Sequence, residues 1–171
     1  SIGRKVAAAT AEGLVPTTLE LGGKSPAMIC PSASIGKAVK AIAQGKFVNA
    51  GQTCIAPDYV LAPRGKTEEV GQAVFTHALR AYPDLGADYS TMISERAFDR
   101  MIDAIAEAER GGALVLRHPV PSDRSRRLMP PTVVLNPPAD SVLMREEIFG
   151  PVLPILGYET LDDAIETVAS Q

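Results

Sequence analysis

The strand-length segments of this chain are apolar from end to end. Residues 27–30 (AMIC), 59–62 (YVLA), 113–116 (ALVL), 132–135 (TVVL) and 152–156 (VLPIL) show no alternation of polar and apolar positions. A strand of that kind has two faces to hide, so it belongs in a sheet covered on both sides. The cover is present in the sequence. Helical patterns occupy residues 2–11, closed by Gly13, then 34–48, 67–80 with Thr67 as its N-cap, 94–110 capped by Ser94 and stopped by Gly111 and Gly112, and 161–169 with acids in its first turn. In 34–48, Ile35, Val39, Ile42 and Ala43 share one face while Lys37 and Lys40 fall elsewhere. A further strand is expected over residues 15–21, entered through Pro16. Alternating helices and apolar strands give an α/β fold, a mostly parallel open sheet covered by helices. There is no internal repeat and no low-complexity segment.

Composition narrows the partners. With 171 residues, 46% hydrophobic and 22% charged, the chain can bury one sizeable core. A formal charge of -3 gives no electrostatic reason to expect nucleic acid or an anionic membrane. Arg124, Arg126 and Arg127 form one basic cluster, read as a solvated loop. No apolar run approaches the roughly 20 residues that span a bilayer. The opening SIGRKVAAATAEG lacks the continuous apolar stretch of a signal peptide, so a cytoplasmic location is expected. Two cysteines and two histidines without ligand spacing make neither a disulfide framework nor a metal site.

Two short runs carry complementary chemistry. Cys54 lies in Gly51-Gln52-Thr53-Cys54-Ile55-Ala56-Pro57. A thiol on a short, polar, glycine-opened turn can attack a carbonyl if its pKa is lowered or its proton is taken. Glu20 lies in Leu19-Glu20-Leu21-Gly22-Gly23-Lys24-Ser25-Pro26, where a carboxylate can take that proton or activate a water. Cys30, inside an apolar strand, reads as a small buried hydrophobe. His77, beside Phe75 and Leu79 in a helix pattern, reads as a surface or interface residue without a catalytic role.

These two runs and a third, Glu146-Glu147-Ile148-Phe149-Gly150-Pro151-Val152-Leu153-Pro154, resemble the nucleophile, base and cofactor segments of the aldehyde dehydrogenase family, in the family's order. The resemblance implies that Cys54 forms a thioester with the aldehyde carbon and that Glu20 activates the water which hydrolyses it. It implies that Glu147 hydrogen-bonds the nicotinamide-side ribose of NAD or NADP, that Phe149 packs near the nicotinamide, and that Gly22 and Gly23 let the backbone approach the site. The substrate is then a small-molecule aldehyde. KFVNAGQTCIAPDYVL and EEIFGPVLPI most resemble the class 3 branch and the bacterial coniferyl aldehyde dehydrogenases, whose substrates are hydrophobic aromatic or medium-chain aldehydes. Ala50, where class 3 enzymes carry cysteine, favours the coniferyl-like group.

Compared with that family the chain resembles a segment truncated at both ends. Ser1-Ile2-Gly3-Arg4 resembles the end of the family's GSxxxG phosphate-binding segment. Residues 1–20 then correspond to the end of a nucleotide-binding domain and 21–171 to the catalytic domain. Family members are homodimers or homotetramers. Two other readings stay open from the residues alone: a cysteine-dependent acyl hydrolase, for which Cys54, Glu20 and water suffice, and a folded segment without catalysis. Glu147 and Phe149 favour the dehydrogenase, having no purpose without a cofactor.

Overall fold

A computed structural model describes residues 2–171; Ser1, in the phosphate-loop resemblance, lies outside the described residues. In chain order the elements are α1 (Ile2–Glu12), β1 (Pro26–Met28), α2 (Ile35–Phe47), β2 (Tyr59–Pro63), α3 (Thr67–Ala81), the single turn α4 (Leu85–Asp88), α5 (Glu95–Arg110), β3 (Leu114–Arg117), β4 (Thr132–Leu135), the single turn α6 (Val142–Arg145), β5 (Val152–Tyr158) and α7 (Leu161–Ala169). The five strands form one sheet in the order β1-β2-β5-β4-β3. All neighbours pair in parallel except β3, which runs antiparallel to β4 at the edge.

Why the strands are apolar throughout is visible in β4. Val133 and Leu135 enter the core beneath α2 and α3. Val134, between them, enters the core beneath α5. Side chains alternate across a strand, so a sheet covered on both faces needs apolar residues at every position. Likewise in β2, Val60 and Ala62 join the α2 and α3 side, while Tyr59 and Leu61 pack with Met144, Tyr158 and Ala164 of α7. At roughly 1.5–3 kcal/mol for each large buried side chain, these layers dominate the stability.

The helix ends follow the sequence in part. Ser94 Oγ accepts from the Ala97 N–H at 3.1 Å, and Thr160 with Asp163 forms a capping box for α7. Thr67 does not cap α3: Lys66 takes the cap position without a side-chain bond, and Thr67 is buried as the first helical residue, within van der Waals reach of Gly157. The strand expected over residues 15–21 does not form. That stretch is exposed and irregular, with no strand paired to it among the described residues, and β-type composition without a ladder partner does not hold a strand. Cys30 lies two residues past β1 and is half-buried, not enclosed as expected. The antiparallel β3 is the one exception in a sheet that is mostly parallel, as expected. Its burial is incomplete, as suits an edge strand. Arg124 sits in the expected exposed loop, paired with Glu95 and Asp99. Among the described residues no helix is long and apolar enough to cross a membrane.

Candidate active site

The turn that carries Cys54 is built by backbone strain and one amide side chain. After α2, Asn49, Ala50 and Gly51 all take left-handed backbone conformations, with φ of 52°, 53° and 71°. Three such residues in succession reverse the chain abruptly, which costs energy at the two non-glycine positions. Gln52 holds the reversal closed. Its Nε2 donates to Asn49 O and to Thr91 O, both at 3.1 Å, and its Oε1 accepts from the Ile93 N–H at 2.8 Å. Cys54 follows two residues later, exposed.

Glu20 is exposed on the irregular stretch before β1, and among the described residues it makes no ion pair or side-chain hydrogen bond. No bond links it to Cys54. The structure brings their two segments together through a third. An ideal Cβ on Gly22 would lie 1.9 Å from Glu147 Oε2, so the glycine turn of the Glu20 segment presses directly on the Glu147 carboxylate. An ideal Cβ on Gly51 would lie 2.2 Å from Gly150 O, so the Cys54 turn presses on the other end of the same segment. Only glycine permits either approach.

Residues 143–148 are fixed from below by charge. Lys24, on the glycine turn, forms a buried ion pair with Asp58, and its Nζ donates to Leu143 O and Glu146 O, both at 2.9 Å. Asp58 Oδ1 accepts from the Ile148 N–H at 3.0 Å. From α5, Arg100 donates to Glu147 O at 3.0 Å and to Ile148 O at 2.6 Å. Buried charges are tolerated when paired and hydrogen-bonded in this way. Lys46 is the exception: it is wholly buried on α2, and its Nζ has no partner among the described residues. Burial lowers its pKa to about 8; the Asp58 carboxylate opposes that shift, Lys24 adds to it, and Glu147 opposes it more weakly.

Glu147 is half-buried, and among the described residues it forms no ion pair with Arg145. Phe149 is 39% exposed and left-handed at φ 45°, so it does not fill the core. Phe149 lines a shallow cleft of about 240 Å³ with Asn49 and Gln52 of the Cys54 turn and with Thr91 and Ile93. A half-buried carboxylate next to an exposed aromatic ring, beside the Cys54 turn, has the chemistry to meet one end of a nicotinamide nucleotide: two acceptor oxygens for vicinal hydroxyls, and an apolar face for a ring. Sequence reasoning missed Lys24, Asp58, Lys46, Gln52 and Arg100. A faint signal existed for Asp58, a lone charge between apolar neighbours ahead of a strand, and none for Arg100, which spacing places on the polar side of an amphipathic helix.

The chain belongs to the aldehyde dehydrogenase family, whose model matches residues 1–170. It is 41% identical to a probable coniferyl aldehyde dehydrogenase of Caulobacter vibrioides, with 98% of this chain aligned to 36% of that protein. Among solved structures it is similar to AldH of Staphylococcus aureus in a substrate-bound state (35% identity, TM-score 0.89, 99% of this chain and 37% of that one). It is also similar to an aldehyde dehydrogenase of Mycobacterium tuberculosis complexed with NAD+ (34% identity, TM-score 0.85, 98% and 36%). The chain therefore spans little more than a third of the length of the relatives it matches.

Proposed function

We propose that this chain is the catalytic segment of an NAD(P)-dependent aldehyde dehydrogenase that oxidises a hydrophobic, aromatic aldehyde of the coniferyl type to its acid. The observation that carries this reading is the meeting of three segments: Gly22 against Glu147 at one end of residues 147–150, and Gly51 against Gly150 at the other. It joins the backbone segments that carry Cys54, Glu20 and Glu147, which supports this reading.

In this reading the Cys54 thiolate adds to the aldehyde carbon, forming a C–S bond while the carbonyl oxygen becomes an oxyanion, with the Cys54 N–H among its donors. The nicotinamide supplies the hydride acceptor. Loss of hydride leaves a thioester on Cys54. Glu20 takes a proton from water, which attacks the thioester carbon; the C–S bond breaks, and the carboxylic acid and the thiolate are released. Glu147 would hold the ribose through its two oxygens, and Phe149 would offer its exposed ring to the nicotinamide. Residues 1–20 close the nucleotide-binding domain and 21–171 belong to the catalytic domain. The whole protein is a cytoplasmic homodimer or homotetramer.

The test is Glu20→Gln in the full-length enzyme. Removal of the base should slow deacylation by about two to four orders of magnitude. A burst of reduced cofactor equal to the enzyme concentration, followed by slow turnover and an acyl adduct on Cys54 by mass spectrometry, is the expected result. An unaltered steady-state rate removes Glu20 from the role, and an adduct on any other residue removes Cys54.

A further inference from the structure

The polar ties on residues 143–148 divide into two kinds. Lys24 holds the carbonyls of Leu143 and Glu146, and Asp58 holds the N–H of Ile148. These bonds anchor the segment on either side of Glu147. The Glu147 carbonyl itself is held by Arg100, whose two terminal nitrogens reach Glu147 O at 3.0 Å and Ile148 O at 2.6 Å. Among the described residues no other side chain bonds it.

The geometry of that fork matters. In an extended strand successive carbonyls point to opposite sides, so one guanidinium cannot take both. Arg100 donates to both carbonyls only while the backbone at Glu147 and Ile148 is turned, and the next residue, Phe149, is already left-handed at φ 45°. A non-glycine residue in that region costs of order 1–3 kcal/mol unless its surroundings impose it. A planar cation with donors in fixed directions, bonding two consecutive carbonyls, imposes it more strictly than a flexible ammonium does. The same turned backbone sets where the Glu147 carboxylate stands against Gly22.

We infer that Arg100 is a positioning residue for cofactor binding: from α5 it locks the turned backbone of Glu147 and Ile148, and so aligns the Glu147 carboxylate and the Phe149 ring for the nicotinamide riboside. This rests on the reading of Glu147 as the ribose-binding carboxylate. Among the described residues Arg100 makes its side-chain hydrogen bonds to Glu147 and Ile148, and none to Cys54. Its influence should therefore fall on cofactor-dependent steps and spare cofactor-independent chemistry at the thiol.

The test compares Arg100→Met, Arg100→Lys and Glu147→Gln in the full-length enzyme. For each variant, KM for NAD(P), kcat for aldehyde oxidation, the cofactor-free hydrolysis of p-nitrophenyl acetate at Cys54 and the thermal midpoint are measured. Loss of alignment by about 1 Å costs up to a hundredfold, so Arg100→Met should raise the cofactor KM about tenfold to a hundredfold, with ester hydrolysis within twofold of the parent. Arg100→Lys, able to keep one of the two bonds, should lie between. If Glu147→Gln raises the cofactor KM and neither Arg100 variant does, the positioning role is overturned while the reading of Glu147 stands. If Glu147→Gln leaves the KM unchanged, that reading fails and the role of Arg100 with it. If both Arg100 variants lose ester hydrolysis and thermal stability in step with oxidation, Arg100 is a structural residue only and the inference is wrong.

Discussion

The carbonyl oxygen of Gly150 stands where a side chain on Gly51 would have to go, 2.2 Å from an ideal Cβ. The obstacle is a backbone carbonyl and not the end of a side chain, so it cannot swing away. Gly51→Ala should destabilise the folded chain by several kcal/mol, combining the φ of 71° with a backbone collision. Ala50→Gly, one residue earlier, relieves a left-handed alanine but loses a buried methyl, so its effect should cancel to within about 1 kcal/mol. Urea unfolding of both variants checks the contrast; equal losses would place the strain elsewhere in the turn.

Gly22 poses the opposite case. A methyl there meets the end of a flexible side chain, the Glu147 carboxylate, instead of backbone. Gly22→Ala should therefore leave stability within about 1 kcal/mol of the parent but displace the carboxylate and raise the cofactor KM. A large drop in thermal midpoint with unchanged KM would show that Gly22 serves the fold and not the site.

Lys46 carries a pH signature. Its folded pKa of about 8 lies below the unfolded value of 10.5. The unfolded chain therefore binds the proton more tightly between those values, and the folded state loses stability as pH falls from about 10.5 to 8 and none further below. At about 1.4 kcal/mol per pK unit the loss is of order 3 kcal/mol for this buried group. Lys46→Met should thus stabilise the chain at pH 7, and the gain should shrink as pH rises toward 10. Unfolding curves for both proteins at pH 7 and 9.5 decide it. A difference that does not vary with pH would mean that the amine has a partner when charged.

The two thiols should react unequally. Cys54 is exposed on its turn and Cys30 is half-buried beyond β1. Iodoacetamide at neutral pH should alkylate Cys54 several-fold faster, as resolved by peptide mapping over time. Labelling of Cys30 first would argue against Cys54 as the nucleophile.

What was legible in the sequence was local. The apolar strands, the helix stop at Gly111 and the turn before Cys54 each depend on a few adjacent residues, and each forms where the pattern placed it. Residues 15–21 have strand composition, but a strand needs a neighbour, and nothing local states whether one exists. The ties that organise the site were invisible for the same reason. Lys24 reaches Glu146 across 122 residues and Arg100 reaches Glu147 across 47, and no spacing rule connects positions that far apart. The motifs named the residues that would do chemistry. The residues that hold them still are ordinary charges whose partners emerge only from the fold.

The order of the sheet sets the order of events in its making. β5, later in the sequence than the other four described strands, lies between β2 and β4, with Val60 paired to Ile155 and Thr132 to Val152. Until it arrives, the earlier strands are two separate edges with no central partner, and closing them requires long loops that form slowly. Residues 147–150 lead directly into β5, so they take their place when that strand docks. The turn that carries Cys54, pressed against Gly150, is thus completed by a segment far along the sequence from it.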